Sequence, residues 1–172
     1  MTLDLATKIR DVPNFPKPGI IFKDITPLLK DVRAFQSVID TLARRYADKR
    51  IDLVLGIEAR GFIFASALAY RLDAGFIPIR KKGKLPYTTD SVEYLLEYGT
   101  DRVEMHTDAV APGARVVVVD DLIATGGTIE AACKLVERQK GVVVECAFVI
   151  ELKFLNGRDR LKGQEVFSLI QY

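Results

Sequence analysis

Four consecutive valines, Val116 to Val119, run into Asp120 and Asp121 and then into Thr125-Gly126-Gly127-Thr128, and few folds accept that order. A short apolar run without alternation is a strand covered on both faces, as in parallel sheets. Its two carboxylates then mark the strand's C-terminal end, emerging into a polar crevice. Open α/β sheets bind ligands at such ends.

The rest of the chain repeats the theme. From Val32, the residues Phe35, Val38, Ile39, Leu42 and Tyr46 recur at helical spacing and predict an amphipathic helix of roughly four turns. "IDLVLGI" reads as a strand leading through Glu58-Ala59-Arg60-Gly61 into a helix over "FIFASALAYRL". "GFIPI" is a strand ending at Arg80, "RVVVVDD" a strand, "TIEAACKLVERQ" a helix and "VVVECAFVIEL" a strand. Strand alternating with helix predicts an α/β fold, a parallel sheet covered on both faces.

Two stretches break the pattern. "KKGKLPYTTDSVEYLLEYGT", residues 81–100, mixes Gly, Pro, Thr and charge and is read as a long irregular, flexible loop of the lid kind. In residues 1–30, Pro13, Pro16, Pro18 and Pro27 forbid a long helix and suggest an extended arm or hood.

With 172 residues, 49% of them hydrophobic, one domain over residues 1–172 is expected. A net charge of +2 gives no reason to expect a nucleic-acid surface. No apolar run approaches the roughly 18 to 20 residues of a membrane span, and the first residues lack a secretory apolar core, so a cytoplasmic protein without membrane contact is expected. Cys133 and Cys146 form no CxxC pair and are read as reduced thiols packed on a helix and a strand. The lone His106 has no partner at metal-ligand spacing and is read as a strand residue.

The chemistry lies where the valine strand gives way to the glycines. A helix N-terminus offers unpaired N–H groups and the positive end of the dipole, so residues 124–128 suit a phosphate monoester. Gly126 and Gly127 admit a close approach, and Thr125 and Thr128 add hydroxyl donors. The spacing is neither that of the nucleotide P-loop nor GxGxxG. Asp120 and Asp121 would accept hydrogen bonds from vicinal hydroxyls one sugar's width away, so a 5-phosphoribosyl group fits both features.

On these residues the segment "VVVVDDLIATGGT" resembles the phosphoribosyl-diphosphate motif of the type I phosphoribosyltransferases. "FPKPGIIFKDITPLL", "GIEARGFIF", "IRKKGKLP" and "LEYGTDRVEMHTDAV" look like the adenine-using branch of that family, in order and over essentially the whole chain. The resemblance implies a type I phosphoribosyltransferase fold with an N-terminal hood and a flexible catalytic loop. It also implies the reaction of adenine with phosphoribosyl diphosphate to AMP and diphosphate, with Mg²⁺, in a homodimer.

The resemblance assigns roles residue by residue. Sister enzymes that use 6-oxopurines carry an aspartate where this chain has Ala124, and the handling of purine N7 passes by resemblance to Glu97, with Tyr98 beside it. Ile21 and Lys23 are assigned to read adenine through their backbones, a pattern that a strand's C=O and N–H can match. Family members often carry Arg at Lys23. Phe22 and Leu122 are assigned to the two faces of the base. Leaving diphosphate needs positioned cations, and Arg60, Lys81 and Lys84 are assigned to it, with Arg80 acting across the dimer interface. The Glu58-Ala59 peptide is a candidate for a cis bond that turns N–H groups toward diphosphate. Mg²⁺ would be held largely by substrate oxygens and water, and no metal ligand is assigned.

Overall fold

The computed structural model describes residues 3–95 and 99–172, in two compact units, Met1–Thr41 and Leu42–Tyr172. In the first unit a single 3-10 turn, Leu5–Lys8, is capped by the Asp4 carboxylate, which accepts the Ala6 N–H at 3.1 Å. Strands β1 (Arg10–Pro13) and β2 (Ile21–Asp24) pair antiparallel, Val12 opposite Phe22. Two cross-strand ion pairs pin this ribbon, Arg10 to Asp24 and Lys23 to Asp11, both at 2.7 Å. Phe15 meets Phe22 edge to face beside a cis Phe15-Pro16 bond. The short helix α1 (Thr26–Lys30) has Pro27 in its first turn, where no N–H partner is lost. As the prolines require, among the described residues no long helix precedes α2 (Val32–Tyr46).

The second unit is built on a seven-stranded sheet. In chain order its elements are β3 (Leu53–Ile57), α3 (Gly61–Arg71), β4 (Gly75–Lys81), β5 (Thr89–Leu95), β6 (Thr100–His106), β7 (Arg115–Ile123), α4 (Gly127–Arg138), β8 (Val142–Glu151) and β9 (Val166–Gln171). The spatial order is β5-β6-β4-β3-β7-β8-β9. From β4 to β9 the strands are parallel, while β5 and β6 add an antiparallel edge.

Period-two alternation divides the core. Leu55, Ile57, Val116, Val118, Cys146 and Phe148 share one buried cluster with Ile129, Ala132 and Leu135 of α4. The alternate positions face α3, which packs on β3, β4 and β7; a Cβ on Gly56 would stand 2.8 Å from that of Ala65. Both faces of the central strands are therefore covered, and the four valines are fully buried. The last turn of α2 is tied to β8 by Arg45, whose guanidinium donates twice to the buried Glu145 carboxylate at 2.6 Å.

Residues 81–100 are not an irregular loop throughout: β4 runs to Lys81, and Thr89–Leu95 is the strand β5, paired with β6 from Thr89 opposite His106 to Leu95 opposite Thr100. Of its residues only Val92 is buried, and a strand whose apolar alternation is confined to Val92 and Tyr94, among Thr, Asp, Ser and Glu at a sheet edge, gives little local signal. The edge hydrogen bonds, invisible in composition, make the element. His106 does end a strand, and its Nε2 accepts the Tyr87 N–H at 3.4 Å. Cys133 and Cys146 are free, buried, and on α4 and β8.

Candidate active site

At the C-terminal ends of β3, β4 and β7 a cavity of about 470 Å³ is lined by Glu58, Ala59, Arg60, Arg80, Lys81, Tyr94, Asp101, Asp120, Asp121, Leu122 and Thr128. A smaller hollow of about 100 Å³ continues from Asp120 through residues 122–129. The two open on either side of the same strand end. This is the crevice that a parallel sheet creates where its strands stop.

The hollow is made by backbone. Gly126 stands in the left-handed region, φ 83°, as the residue before α4, and no side chain caps the helix. The first N–H groups of a twelve-residue helix are thus turned to the hollow without a side-chain competitor. The turn is closed behind by Gly157: a Cβ on Gly126 would overlap the Gly157 carbonyl oxygen, and one on Gly157 the Ala124 carbonyl oxygen. Thr125 is exposed and Thr128 half-buried, both at the rim.

Asp120 and Asp121 do not end their strand, as the sequence suggests; β7 continues to Ile123, paired with Glu151 of β8. Successive residues of a strand face opposite ways, so the pair lines the cavity from two directions. Asp121 is buried, and Arg60 Nε meets its charge at 2.9 Å from Oδ2, off the line of a good hydrogen bond. Asp120 accepts the Asp121 N–H at 2.8 Å. It also stands so near Gly61, the first residue of α3, that a Cβ there would lie 2.7 Å from its Oδ1. Burial, and then the Asp121 charge, push the Asp120 carboxyl well above the usual carboxylate range; burial raises Asp121 too, against the pull of Arg60.

The larger cavity is lined by side-chain charge. The Glu58-Ala59 bond is cis. Glu58 gathers Lys84 Nζ at 2.6 Å, Arg80 Nε at 3.3 Å and the Lys81 N–H at 3.2 Å. Burial raises its pKa, but these donors, Lys84 first, outweigh it and hold the carboxyl at about 2. Lys84 reaches the cluster through Glu58 and does not itself line the cavity. Lys81 is held by Asp101 at 2.8 Å, which keeps the Asp101 carboxyl below its ordinary range and Lys81 above its own. Tyr94 donates to the same carboxylate at 3.2 Å and lines the cavity together with Thr128.

The structure thus brings together Glu58, Ala59, Arg60, Arg80, Lys81, Asp120, Asp121, Leu122 and Thr128 around one cavity, with residues 124–127 around the adjoining hollow. Ile21, Phe22 and Lys23 belong to the first unit, on β2. Glu97 and Tyr98 lie outside the described residues. Sequence reading missed Tyr94 and Asp101, which tie Lys81 to the cradle. Tyr94 sat inside the supposed loop, and only a strand pairing of β5 with β6, Tyr94 opposite Asp101, would have joined them.

Among the described residues no group of three or more His, Cys, Asp or Glu could hold a metal ion. The adjacent Asp120 and Asp121 carboxylates are hard oxygen donors at the cavity wall, a set that suits a magnesium ion taking its other ligands from substrate and water.

Comparison with known proteins agrees with this architecture. The phosphoribosyl transferase domain family matches residues 26–168. The adenine phosphoribosyltransferase of Roseiflexus sp. (strain RS-1) is 62% identical over 172 residues, 100% of both chains. Among solved structures, that of the adenine phosphoribosyltransferase from Thermoanaerobacter pseudethanolicus superposes with a TM-score of 0.95 at 55% identity over 98% of each chain. The Saccharomyces cerevisiae enzyme, complexed with an imino-altritol bisphosphate and adenine, gives 0.91 at 41% identity over 96% of each. With the phosphate hollow, the carboxylate pair and the cationic cavity on one sheet end, and relatives of this identity along its whole length, the chain belongs to the phosphoribosyltransferase family, in its adenine branch.

Proposed function

We propose that this chain transfers the 5-phosphoribosyl group of phosphoribosyl diphosphate to adenine, giving AMP and diphosphate in purine salvage. The observation that carries the reading is the continuity of the two hollows: an uncapped helix N-terminus, two carboxylates and a set of cations succeed one another along one strand end. A sugar with phosphate at one end and diphosphate at the other has that order of charges.

In this reading the N–H groups of residues 125–128, with the Thr125 and Thr128 hydroxyls, hold the 5-phosphate. Asp120 and Asp121 accept from the ribose hydroxyls, which favours their ionised forms against the burial that raises their pKa values. Arg60, Arg80, Lys81 and, through the Glu58 cluster, Lys84 are assigned to the diphosphate; its negative charge grows as the bond from C1 to oxygen breaks and the bond from C1 to adenine nitrogen forms. Mg²⁺, when bound, neutralises part of that charge.

Adenine recognition is assigned to Ile21, Phe22, Lys23 and Leu122. Residues two apart on a two-stranded ribbon turn their backbone groups to the same edge, so Ile21 and Lys23 present theirs together. A backbone contact makes Lys23 in place of Arg a small departure. Glu97, with Tyr98 beside it, is assigned the proton at N7, because Ala124 offers no carboxylate in the cradle. One phosphoribosyltransferase domain spanning 1–172, with residues 1–30 as its arm, a homodimer and a cytoplasmic location complete the reading; among the described residues no helix is long and apolar enough to cross a membrane.

The test is incubation with Mg²⁺ and phosphoribosyl diphosphate plus adenine, hypoxanthine, guanine, xanthine or orotate in separate reactions. AMP from adenine alone is expected. Nucleotide from another base would keep the cradle and refute the adenine assignment, and no nucleotide from any base would refute catalysis.

A further inference from the structure

We propose that Arg160 supplies the side-chain positive charge of the phosphate cradle, as a substrate-affinity residue that neither the glycine motif nor the cavity lining announces. The inference rests on the cradle reading above and adds a residue to it.

Arg160 ends a 3-10 turn, Gly157–Arg160, that forms the back of the cradle. That turn is fixed on both sides. Arg158 donates to both oxygens of the Glu151 carboxylate, at 2.7 and 2.6 Å, and to the Val166 carbonyl at 3.0 Å. Leu161, the next residue after the turn, is buried in the main core. Gly157 lies against Gly126 and Ala124 so tightly that neither glycine has room for a side chain. A turn held this firmly fixes where the base of the Arg160 side chain emerges.

It emerges at the first residue of α4: one Arg160 guanidinium nitrogen is 3.1 Å from the position a Cβ on Gly127 would take. Among the described residues the Arg160 side chain has no hydrogen bond or ion pair. The nearby carboxylate of Glu130, which shares a hollow with it, is occupied by Lys134 at 2.6 Å. A cation beside a helix N-terminus is in an unfavourable place, because the helix end is itself positive. Arg158, two residues earlier in the same turn, shows the ordinary solution, a carboxylate partner; Arg160 has a helix end instead. Two positive features side by side are stabilised together by one anion, and the cradle is where a phosphate would lie. A methyl group on Gly127 would meet the guanidinium closely and the Leu95 carbonyl at ordinary contact distance, 3.4 Å.

The charge acts at the 5-phosphate end only, which separates it from the cations around Glu58. The experiment is calorimetric titration of the wild-type chain, Arg160→Gln and Arg160→Lys with ribose 5-phosphate and, separately, with diphosphate, at low and high salt. Arg160→Gln is expected to weaken ribose 5-phosphate about three- to tenfold at low salt and less at high salt, where an exposed charge is screened. Diphosphate should change by less than about twofold, and Arg160→Lys should restore most of the loss because the charge returns. In the overall reaction the KM for phosphoribosyl diphosphate should rise while kcat holds. Unchanged ribose 5-phosphate binding in Arg160→Gln, equal losses in the Gln and Lys variants, or equal losses for both ligands would each overturn the proposal. A wild-type chain that binds diphosphate but no ribose 5-phosphate would instead overturn the cradle reading beneath it.

Discussion

The cradle at residues 124–128 and the charged cavity around Glu58 are neighbours on one strand end, yet they are made differently. The first is backbone geometry: a left-handed Gly126, an uncapped helix, and Gly157 packed where no side chain fits. The second is a set of side chains already occupied with one another, Glu58 with Lys84 and Arg80, Asp101 with Lys81, Asp121 with Arg60. A backbone site is rigid and fails when its shape is disturbed. A side-chain site exchanges partners, and each incoming phosphate oxygen must compete with a carboxylate the protein already supplies. Shape should therefore dominate affinity at one end, and charge balance at the other.

Gly126→Ala breaks the comparison most severely if it is wrong. A left-handed conformation costs a residue with a Cβ about 1–2 kcal/mol, and the overlap with the Gly157 carbonyl adds about 1–3 kcal/mol. Ribose 5-phosphate binding should fall by roughly thirtyfold or more, with diphosphate binding changed by less than about threefold. Titration of each ligand checks this. Equal losses would mean that the two ends are one mechanical unit.

Glu58→Gln tests the side-chain end through stability. With its pKa near 2 in the fold against an ordinary 4.5, the Glu58 carboxylate contributes stability that is fully present above about pH 4.5 and is lost as pH falls toward 2. The contribution is of the order of 2 kcal/mol. In denaturant melts the variant should be less stable than wild type at pH 7, and the gap should close on approach to pH 2. A gap that stays constant with pH would show that Glu58 is held by packing and not by its cations.

The difference between the two ends is also the difference between what the sequence disclosed and what it hid. Four valines, two aspartates and two glycines in a row announce strand, crevice and helix start, because backbone sites need particular residues at particular places. β3, β4, α3 and β8 were legible for the same reason, as apolar runs with glycine at their ends. The strand β5 was not, because its polar residues find their place by pairing with β6, a contact remote from any local signal. Nor could the sequence say that Lys84 serves Glu58, or that Arg160 would be brought to Gly127 by a turn thirty-odd residues later, since both depend on tertiary approach. The resemblance named Arg60, Lys81 and Lys84 together; the structure separates them into a cation on Asp121, one on Asp101 and one on Glu58.

Asp101→Asn sharpens the charge argument at smaller scale. Lys81 is more than half exposed, and its pair with Asp101 is worth at most about 1 kcal/mol. Removing the carboxylate leaves Lys81 free for diphosphate and raises the net charge of the cavity by one, so diphosphate should bind about two- to fivefold more tightly. Weaker diphosphate binding would show that Asp101 holds Lys81 in place more than it competes for it.

The smallest effect belongs to the one side chain that touches both ends. The Tyr94 hydroxyl donates to Asp101 at 3.2 Å and lines the cavity beside Thr128, the second residue of α4. Diphosphate drawing Lys81 from Asp101 leaves that carboxylate with Tyr94 as a remaining side-chain donor, and a stronger hold on Tyr94 changes how the side chain sits beside Thr128 at the rim of the cradle. Binding at one end should then alter binding at the other by a factor of up to about fivefold, equally in both directions, because such coupling is reciprocal. Measuring ribose 5-phosphate affinity with and without saturating diphosphate gives that factor. Tyr94→Phe should bring it to one, while changing each single-ligand affinity by less than about threefold. If the factor survives in the variant, the two ends communicate through β7 and the Asp120-Asp121 pair, and a rigid backbone site and an exchangeable side-chain site share more than a strand end.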